Sequence, residues 1–73
     1  MKLAEAKEGC GFVVTHITGD DVMLQAMRFG IDAGTAIFVE KNIAGGPVII
    51  CKNELEIAIG REIAIAIEVL PRG

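Results

Sequence analysis

The chain consists of short segments in which apolar residues occupy alternate positions, separated by turns rich in glycine, asparagine and proline. Gly11–Ile17 contains many β-branched residues and predicts a first strand. The same criteria predict four further strands, over Ala36–Asn42, Val48–Cys51, Glu54–Ile59 and Ile65–Leu70. Five short strands joined by tight turns are typical of a small, partly open β-barrel.

Between the first two strands the apolar spacing changes to that of a helix. At ~100° per residue, the apolar residues of Val22–Phe29 fall within an arc of about 160°, which predicts one apolar helix face. They are Val22, Met23, Ala26, Met27 and Phe29. An aspartate of the preceding Asp20-Asp21 pair is available as the N-cap residue. Leu24 lies outside the arc, beside Arg28, and is predicted to be exposed.

The turns between these elements carry residues with special backbone freedom. Gly30 stands where a helix C-terminus requires positive φ, and Gly34 stands where the chain turns into the next strand. Gly45-Gly46-Pro47 predicts a loop before the third strand. Lys52-Asn53 is predicted to join a hairpin, because asparagine tolerates a left-handed conformation. Gly60-Arg61-Glu62 predicts a short helical or 3₁₀ turn.

Several apolar residues are predicted to point outward. If Ile37 and Val39 face the core, strand alternation turns Phe38 toward solvent, and the same rule turns Ile49 outward. The predicted exposed apolar residues are Leu24, Phe38, Ile49, Ile63 and Ile65. Together they predict a surface for self-association or for a protein partner, with Phe38 as the principal anchor.

Composition and charge narrow the function. Of the 73 residues, 52% are hydrophobic and the formal net charge is −3, so a nucleic-acid partner is not expected. No segment approaches the ~18 consecutive apolar residues of a membrane span. Residues 1–8 are charged throughout and do not resemble a signal peptide. We therefore expect a cytosolic protein.

Residues capable of catalysis or metal binding are few. The chain contains one histidine, His16, and no serine, which excludes a serine triad. Cys10, His16 and Cys51 lack the spacing of a preformed metal site, and two free thiols are expected, although the sequence leaves a Cys10–Cys51 bond open. Asp20 and Asp21 fit helix capping better than metal ligation. The expectation is a protein without catalytic activity or cofactor, which at most binds a divalent metal ion weakly or adventitiously.

The order of these residues resembles the FeoA family, the small cytosolic component of bacterial ferrous iron transport. The most characteristic stretch is Phe29-Gly30-Ile31-x-x-Gly34-Thr35. The other matching residues are Gly9, Phe12, Val14, Ile17, Ile37, Val39, Gly45-Gly46-Pro47, Val48, Ile50, Ile57-Ala58-Ile59, Ala64, Ile67 and Val69. The resemblance covers nearly the whole chain. It implies a mainly β, SH3-like, partly open barrel with one short helix after the first strand, forming one domain over residues 1–73.

The resemblance also implies a function. Family members act beside a large membrane permease whose cytosolic part is a GTPase domain, so an accessory protein that binds this domain is expected. The protein would then be cytoplasmic and reach the membrane only through the permease. A homo-oligomer is also expected, and the candidate partner-binding residues are Leu24, Arg28, Phe38, Ile49 and Ile65. The alternative is a metal-responsive sensor domain, because iron-dependent repressors of the diphtheria toxin repressor type carry the same SH3-like fold at their C-terminus.

Overall fold

The computed structural model describes residues 1–72. Five antiparallel strands form one sheet in the order β4-β3-β2-β1-β5. In chain order, the elements are a short 3₁₀ helix (Leu3–Glu5), β1 (Cys10–Ile17), α1 (Asp20–Arg28), β2 (Ala36–Asn42), β3 (Val48–Lys52), β4 (Leu55–Ile59), α2 (Arg61–Ile65) and β5 (Ile67–Pro71). The five strands and the helix after the first strand are confirmed.

Strand alternation builds the core. Phe12 pairs with Ile37 across β1 and β2, and Ile50 pairs with Val39 on one side and Ile57 on the other. All five of these side chains are buried, because directly paired residues point to the same face of a sheet. The residues between them along each strand form the opposite, outer face of the sheet.

Two glycines shape the connection from α1 to β2 as predicted. Gly30 has φ of 71° and Gly34 has φ of 93°, both in the left-handed region that favours glycine. A Cβ atom at Gly30 would lie 2.9 Å from Lys52 Nζ, so the absence of a side chain also lets this lysine approach the C-terminal end of α1. Ile31 then enters the core, and its N–H donates to the Ala26 carbonyl at 2.9 Å.

Three details differ from the prediction. The hairpin turn consists of Asn53 and Glu54, with φ of 50° and 67°, because Lys52 already pairs with Leu55. Two successive positive φ values are those of a type I′ turn, which suits the twist of the strands.

Gly19 rather than an aspartate stands at the N-cap of α1, and among the described residues no side chain caps that helix.

The predicted closing strand begins two residues too early. Ile65 is the last residue of α2, and β5 starts at Ile67. The predicted turn around Arg61 extends into this one-and-a-half-turn helix because Ala64, on its inner side, is fully buried in the core. The apolar period of two around Ile63 and Ile65 does not distinguish a short helix from the start of a strand.

Arg61 connects α2 to distant parts of the chain. Its Nε donates to the Gly46 carbonyl at 2.9 Å, its Nη1 to the Ala4 carbonyl at 2.9 Å, and its Nη2 to Asn42 Oδ1 at 2.8 Å. Nη2 also donates to the carbonyl of Ile43. The guanidinium thereby joins the N-terminal segment, the end of β2 and the β2–β3 loop.

Asn42 completes this cluster from the end of β2. Its Nδ2 donates to the carbonyls of Ala4 and Ala6 at 3.0 and 2.8 Å, and its backbone N–H donates to Glu8 Oε2 at 2.6 Å. The acceptors that Arg61 uses are three backbone carbonyls and the side-chain amide oxygen of Asn42, which would otherwise need water as a partner. The cluster has a structural role that the sequence analysis did not anticipate.

Candidate partner-binding surfaces

Helix α1 presents most of its apolar face to solvent. Within α1 only Ala26 is buried, and Val22 is half-buried. Met23 and Met27 are 37% and 59% exposed, and Phe29, which follows the helix, is 46% exposed. The apolar arc therefore predicts the helix but not how much of the helix is buried. The exposed residues of the arc leave flexible thioether side chains and an aromatic ring available for contact.

Leu24 and Arg28 lie together on α1, as their spacing of four residues requires. Leu24 is 60% exposed, which confirms its predicted position outside the packed side of the helix. Arg28 is exposed in the last turn, where its charge suits the negative end of the helix dipole. We name Leu24, Met27 and Arg28 the α1 surface.

A shallow groove separates α1 from β4 and α2. Its volume is about 170 Å³, and its walls include Gln25 and Phe29 from the α1 side and Ala58, Gly60 and Ile63 from the opposite side. This is smaller than the ~300–1,000 Å³ of typical small-molecule pockets. The groove has room for an apolar side chain of a partner rather than for a substrate.

The outer face of the sheet carries a second exposed apolar region around Phe38. Phe38 is 44% exposed, which confirms its predicted orientation. It pairs with Gly11 of β1 and with Cys51 of β3, and Cys51 pairs in turn with Glu56 of β4. Beside this row, Val13 pairs with Ala36 and Leu70. We name these residues the outer sheet face: Gly11, Val13, Ala36, Phe38, Cys51, Glu56 and Leu70.

A pair of carboxyl groups lies at the edge of the outer sheet face. The β2–β3 register shifts between Val39 and Lys41, so Glu40 is an extra residue in a β-bulge. Its carboxyl group reaches that of Glu56, and the hydrogen bond between them raises the pKa of Glu40, with smaller contributions from desolvation and from the charge of Glu56. Because Glu40 and Glu56 are far apart in the sequence, their proximity could not be predicted from neighbouring residues and depends on the strand register.

The remaining predicted partner-binding residues lie elsewhere. Ile49 is half-buried on the outer side of β3, opposite Lys41 and Ala58. Ile65 is 46% exposed, but at the end of α2 rather than on a strand. Ile63, also predicted to be exposed, is half-buried and packs against the core. The five candidate residues thus divide among α1, the outer side of the sheet and α2.

Besides the residues of the α1 arc, four large apolar residues are exposed that the sequence did not predict to be so. They are Met1, Ile43, Leu55 and Leu70, with exposed fractions between 47% and 62%. Leu55 follows the hairpin turn directly and Ile43 lies at the start of a loop, positions at which strand alternation gives no guide to burial. Leu70 could have been found, because it lies one residue after the buried Val69 in the same strand.

The candidate metal and thiol ligands are dispersed. Cys10 pairs with the buried Val39 whereas Cys51 pairs with the exposed Phe38, so the two cysteines face opposite sides of the sheet and both are free thiols. His16 is exposed on β1, opposite Glu68 of β5. Within residues 1–72, no three histidine, cysteine or acidic side chains are grouped so that they could hold a metal ion. In the same part of the chain, no helix is long and apolar enough to span a membrane.

Comparisons with known proteins extend these observations. A family model described as the FeoA domain matches residues 1–71. A crystal structure described as an iron uptake regulatory protein, FeoA, is 26% identical, with a TM-score of 0.91 over 99% of this chain and 97% of that protein. The solution structure of the FeoA protein from Chlorobium tepidum is 27% identical, with a TM-score of 0.85 over 100% of this chain and 71% of that protein.

A different class of protein shares the fold alone. A manganese-dependent transcriptional repressor is 17% identical, with a TM-score of 0.89 over 99% of this chain but only 41% of the repressor. The match confirms the predicted small SH3-like architecture, which occurs both in the FeoA structures and within this repressor. No curated protein sequence matches the chain.

Proposed function

Because this chain belongs to the FeoA family, we propose that it is an accessory protein of bacterial ferrous iron uptake that binds the cytosolic GTPase domain of a ferrous iron permease. The observation that carries the proposal is the match of the FeoA domain to residues 1–71. The similar crystal structure described as an iron uptake regulatory protein supports a role in iron uptake.

In this proposal the protein acts by binding rather than by catalysis. Its large exposed apolar side chains include Leu24 and Met27 on α1 and Phe38 on the outer sheet face. Burial of such side chains against a partner supplies ~25 cal/mol per Å² of apolar surface removed from water. The protein then resides in the cytoplasm and reaches the inner face of the membrane through the permease.

A binding measurement with the purified cytosolic domain of the permease tests this function. The wild-type chain is expected to bind, and Leu24→Ser and Phe38→Ser are expected to weaken binding, each by about tenfold if its side chain is a central contact. Ile43→Ser is the matched control, since Ile43 is also exposed, to 47%, but lies in the β2–β3 loop. Circular dichroism verifies that every variant is folded. Absence of binding by the folded wild-type chain would overturn the proposal.

The fold shared with the manganese-dependent repressor supports a second candidate function, that of a metal-responsive sensor domain. A sensor requires specific binding of a metal ion. Anaerobic calorimetric titration with Fe²⁺ and Mn²⁺ separates the two functions: stoichiometric, saturable heat favours the sensor, whereas a flat titration of folded protein removes it. Permease binding without metal binding supports the accessory function alone.

A further inference from the structure

The two edges of the sheet differ in whether the chain itself covers them. At the β5 edge, the Val69 N–H donates to the Met1 carbonyl at 2.7 Å, and Lys2 forms an antiparallel bridge with Glu68. The N-terminal segment therefore covers this edge. β4 forms the other edge, and no strand within residues 1–72 pairs with its outer side. An open edge is a template to which a strand of another chain can add.

The register of the β3–β4 hairpin determines which backbone groups of β4 point away from the sheet. Lys52 and Leu55 flank the two-residue turn and form the hydrogen-bonded pair that closes it. Hydrogen-bonded and non-hydrogen-bonded pairs alternate along antiparallel strands, so Glu56 and Ala58 are not hydrogen-bonded to β3. Their N–H and C=O groups point outward, and both residues are exposed. β4 thus presents two donors and two acceptors, and no backbone group within residues 1–72 bonds to them.

A second copy of β4 supplies the complementary groups. We propose that two copies of this chain associate by antiparallel pairing of their β4 strands about a two-fold axis at Ile57. Glu56 of each copy then faces Ala58 of the other copy, and each of these two pairs forms two hydrogen bonds. The pairing uses every outward backbone group of both residues. It is independent of the proposed function and needs no other protein.

The same register covers an exposed leucine and fills an apolar groove. Leu55 is 62% exposed, although it lies on the same side of β4 as the buried Ile57 and Ile59. In the paired strands, Leu55 of one copy faces Ile59 of the other copy, and Ile59 lines the groove beside α1. Phe29, on the opposite wall of that groove, is 46% exposed and extends the apolar contact. Each copy therefore provides both the apolar side chain and the groove that receives it.

Other registers of the two strands fit less well. Pairing centred on Glu56 places the two carboxylates of the dimer directly opposite each other, and like charges in that position destabilise a sheet. Pairing centred on Ala58 requires the Gly60 carbonyl as an acceptor, but this carbonyl already accepts the first hydrogen bonds of α2. Pairing centred on Ile57 avoids both conflicts, because it places the small, uncharged Ala58 opposite Glu56.

Sedimentation equilibrium of the full chain over a range of concentrations tests this pairing. The wild-type chain is expected to form a dimer whose fraction rises with concentration and with added salt, since each copy carries a net charge of −3. Ala58→Pro removes an outward N–H without removing a hydrogen bond to β3, and is expected to stay monomeric. Ala58→Val is the matched control: it keeps the N–H and should dimerise like the wild type.

A side-chain variant and an amide measurement keep the test decisive if the proline variant does not fold. Leu55→Ser is expected to weaken the dimer by about tenfold. Leu70→Ser removes a leucine that is 54% exposed on β5 and should leave the dimer unchanged. In hydrogen exchange of the wild-type chain, the amides of Glu56 and Ala58 should exchange more slowly as the concentration rises, because pairing protects them.

Three results would overturn the inference. The first is a folded wild-type chain that is monomeric at every concentration. The second is a dimer that Leu55→Ser leaves intact, or in which the exchange of the Glu56 and Ala58 amides does not depend on concentration. The third is a dimer that Phe38→Ser but not Leu55→Ser converts to a monomer, which would assign self-association to the outer sheet face. Binding of the permease domain is a separate measurement, so the proposed function stands in each case.

Discussion

The sheet and helix α1 follow equally clear apolar patterns but use them differently. In β2 and β3 the alternate residues Ile37, Val39, Val48 and Ile50 are at most 4% exposed. Of the apolar arc of α1, only Ala26 is buried, and the methionines of the arc lie at the surface. An apolar pattern thus identifies a strand or a helix, but the apolar side of that element is buried only where a second surface covers it.

The difference has a physical cause. Hydrogen bonds hold each strand at a fixed distance from its neighbours, and the sheet curves around a common core. The inward side of every strand is therefore covered. Helix α1 has nine residues and meets the core through the buried Ala26 and the half-buried Val22. Its remaining apolar area contributes little to folding and stays available for a partner. This small protein thus separates stability, in the sheet, from exposed contact area, on α1 and around Phe38.

The largest expected effect is in the sheet. Ile50→Ala should lower the free energy of unfolding by about 2–5 kcal/mol, since Ile50 is fully buried and its removal leaves a cavity. Met27→Ala on α1 should change it by less than about 0.5 kcal/mol, because that side chain is exposed. Urea denaturation followed by circular dichroism measures both. Comparable losses in the two variants would show that α1 contributes to the core as much as the sheet does.

An intermediate effect is expected at α2, a helix that long-range hydrogen bonds attach to the protein. Arg61→Met removes the bonds to Gly46, Ala4 and Asn42 and should cost about 1–3 kcal/mol, the penalty of leaving partly buried acceptors unpaired. Arg28→Met on α1 is the matched control, with an expected change under about 0.5 kcal/mol. Amide hydrogen exchange should quicken in residues 2–6 of Arg61→Met alone. Unchanged exchange there would refute the connecting role of Arg61.

The smallest effect concerns the carboxyl pair. The hydrogen bond with Glu56 raises the pKa of Glu40 in the folded protein, so the stability that this pair contributes is present in acid and is lost as the pH rises through the raised pKa. Glu56→Gln should therefore raise the thermal midpoint slightly at neutral pH, where the pair repels in the wild type. The gain should vanish below the ordinary pKa of glutamate, about 4.3.

Thermal unfolding across this pH range measures the change in thermal midpoint. Glu62→Gln is the control for loss of one negative charge. A gain of the same size at every pH, or one shared by Glu62→Gln, would show that net charge rather than the carboxyl pair is responsible.

Much of the fold could be predicted from local pattern. The strands, the helix after β1 and the conformations of Gly30 and Gly34 follow from residue types within a few positions of each other. The start of β5 was misplaced because Ile63 and Ile65 fit a strand as well as a short helix, and only the burial of Ala64 decides between them. The exposure of Leu24 and Phe38 followed from periodicity, whereas their separation onto different elements did not.

The elements, the inward side of each strand and the FeoA family follow from the sequence, because they depend on local spacing and on residues at fixed positions. The surfaces of the protein follow from its tertiary structure. It brought Glu40 to Glu56 across β3, placed Cys10 and Cys51 on opposite faces of the sheet, and joined Arg61 to Asn42 and Ala4. These contacts depend on strand register and on a bulge, which arise from packing of the whole sheet and leave no signal in neighbouring residues.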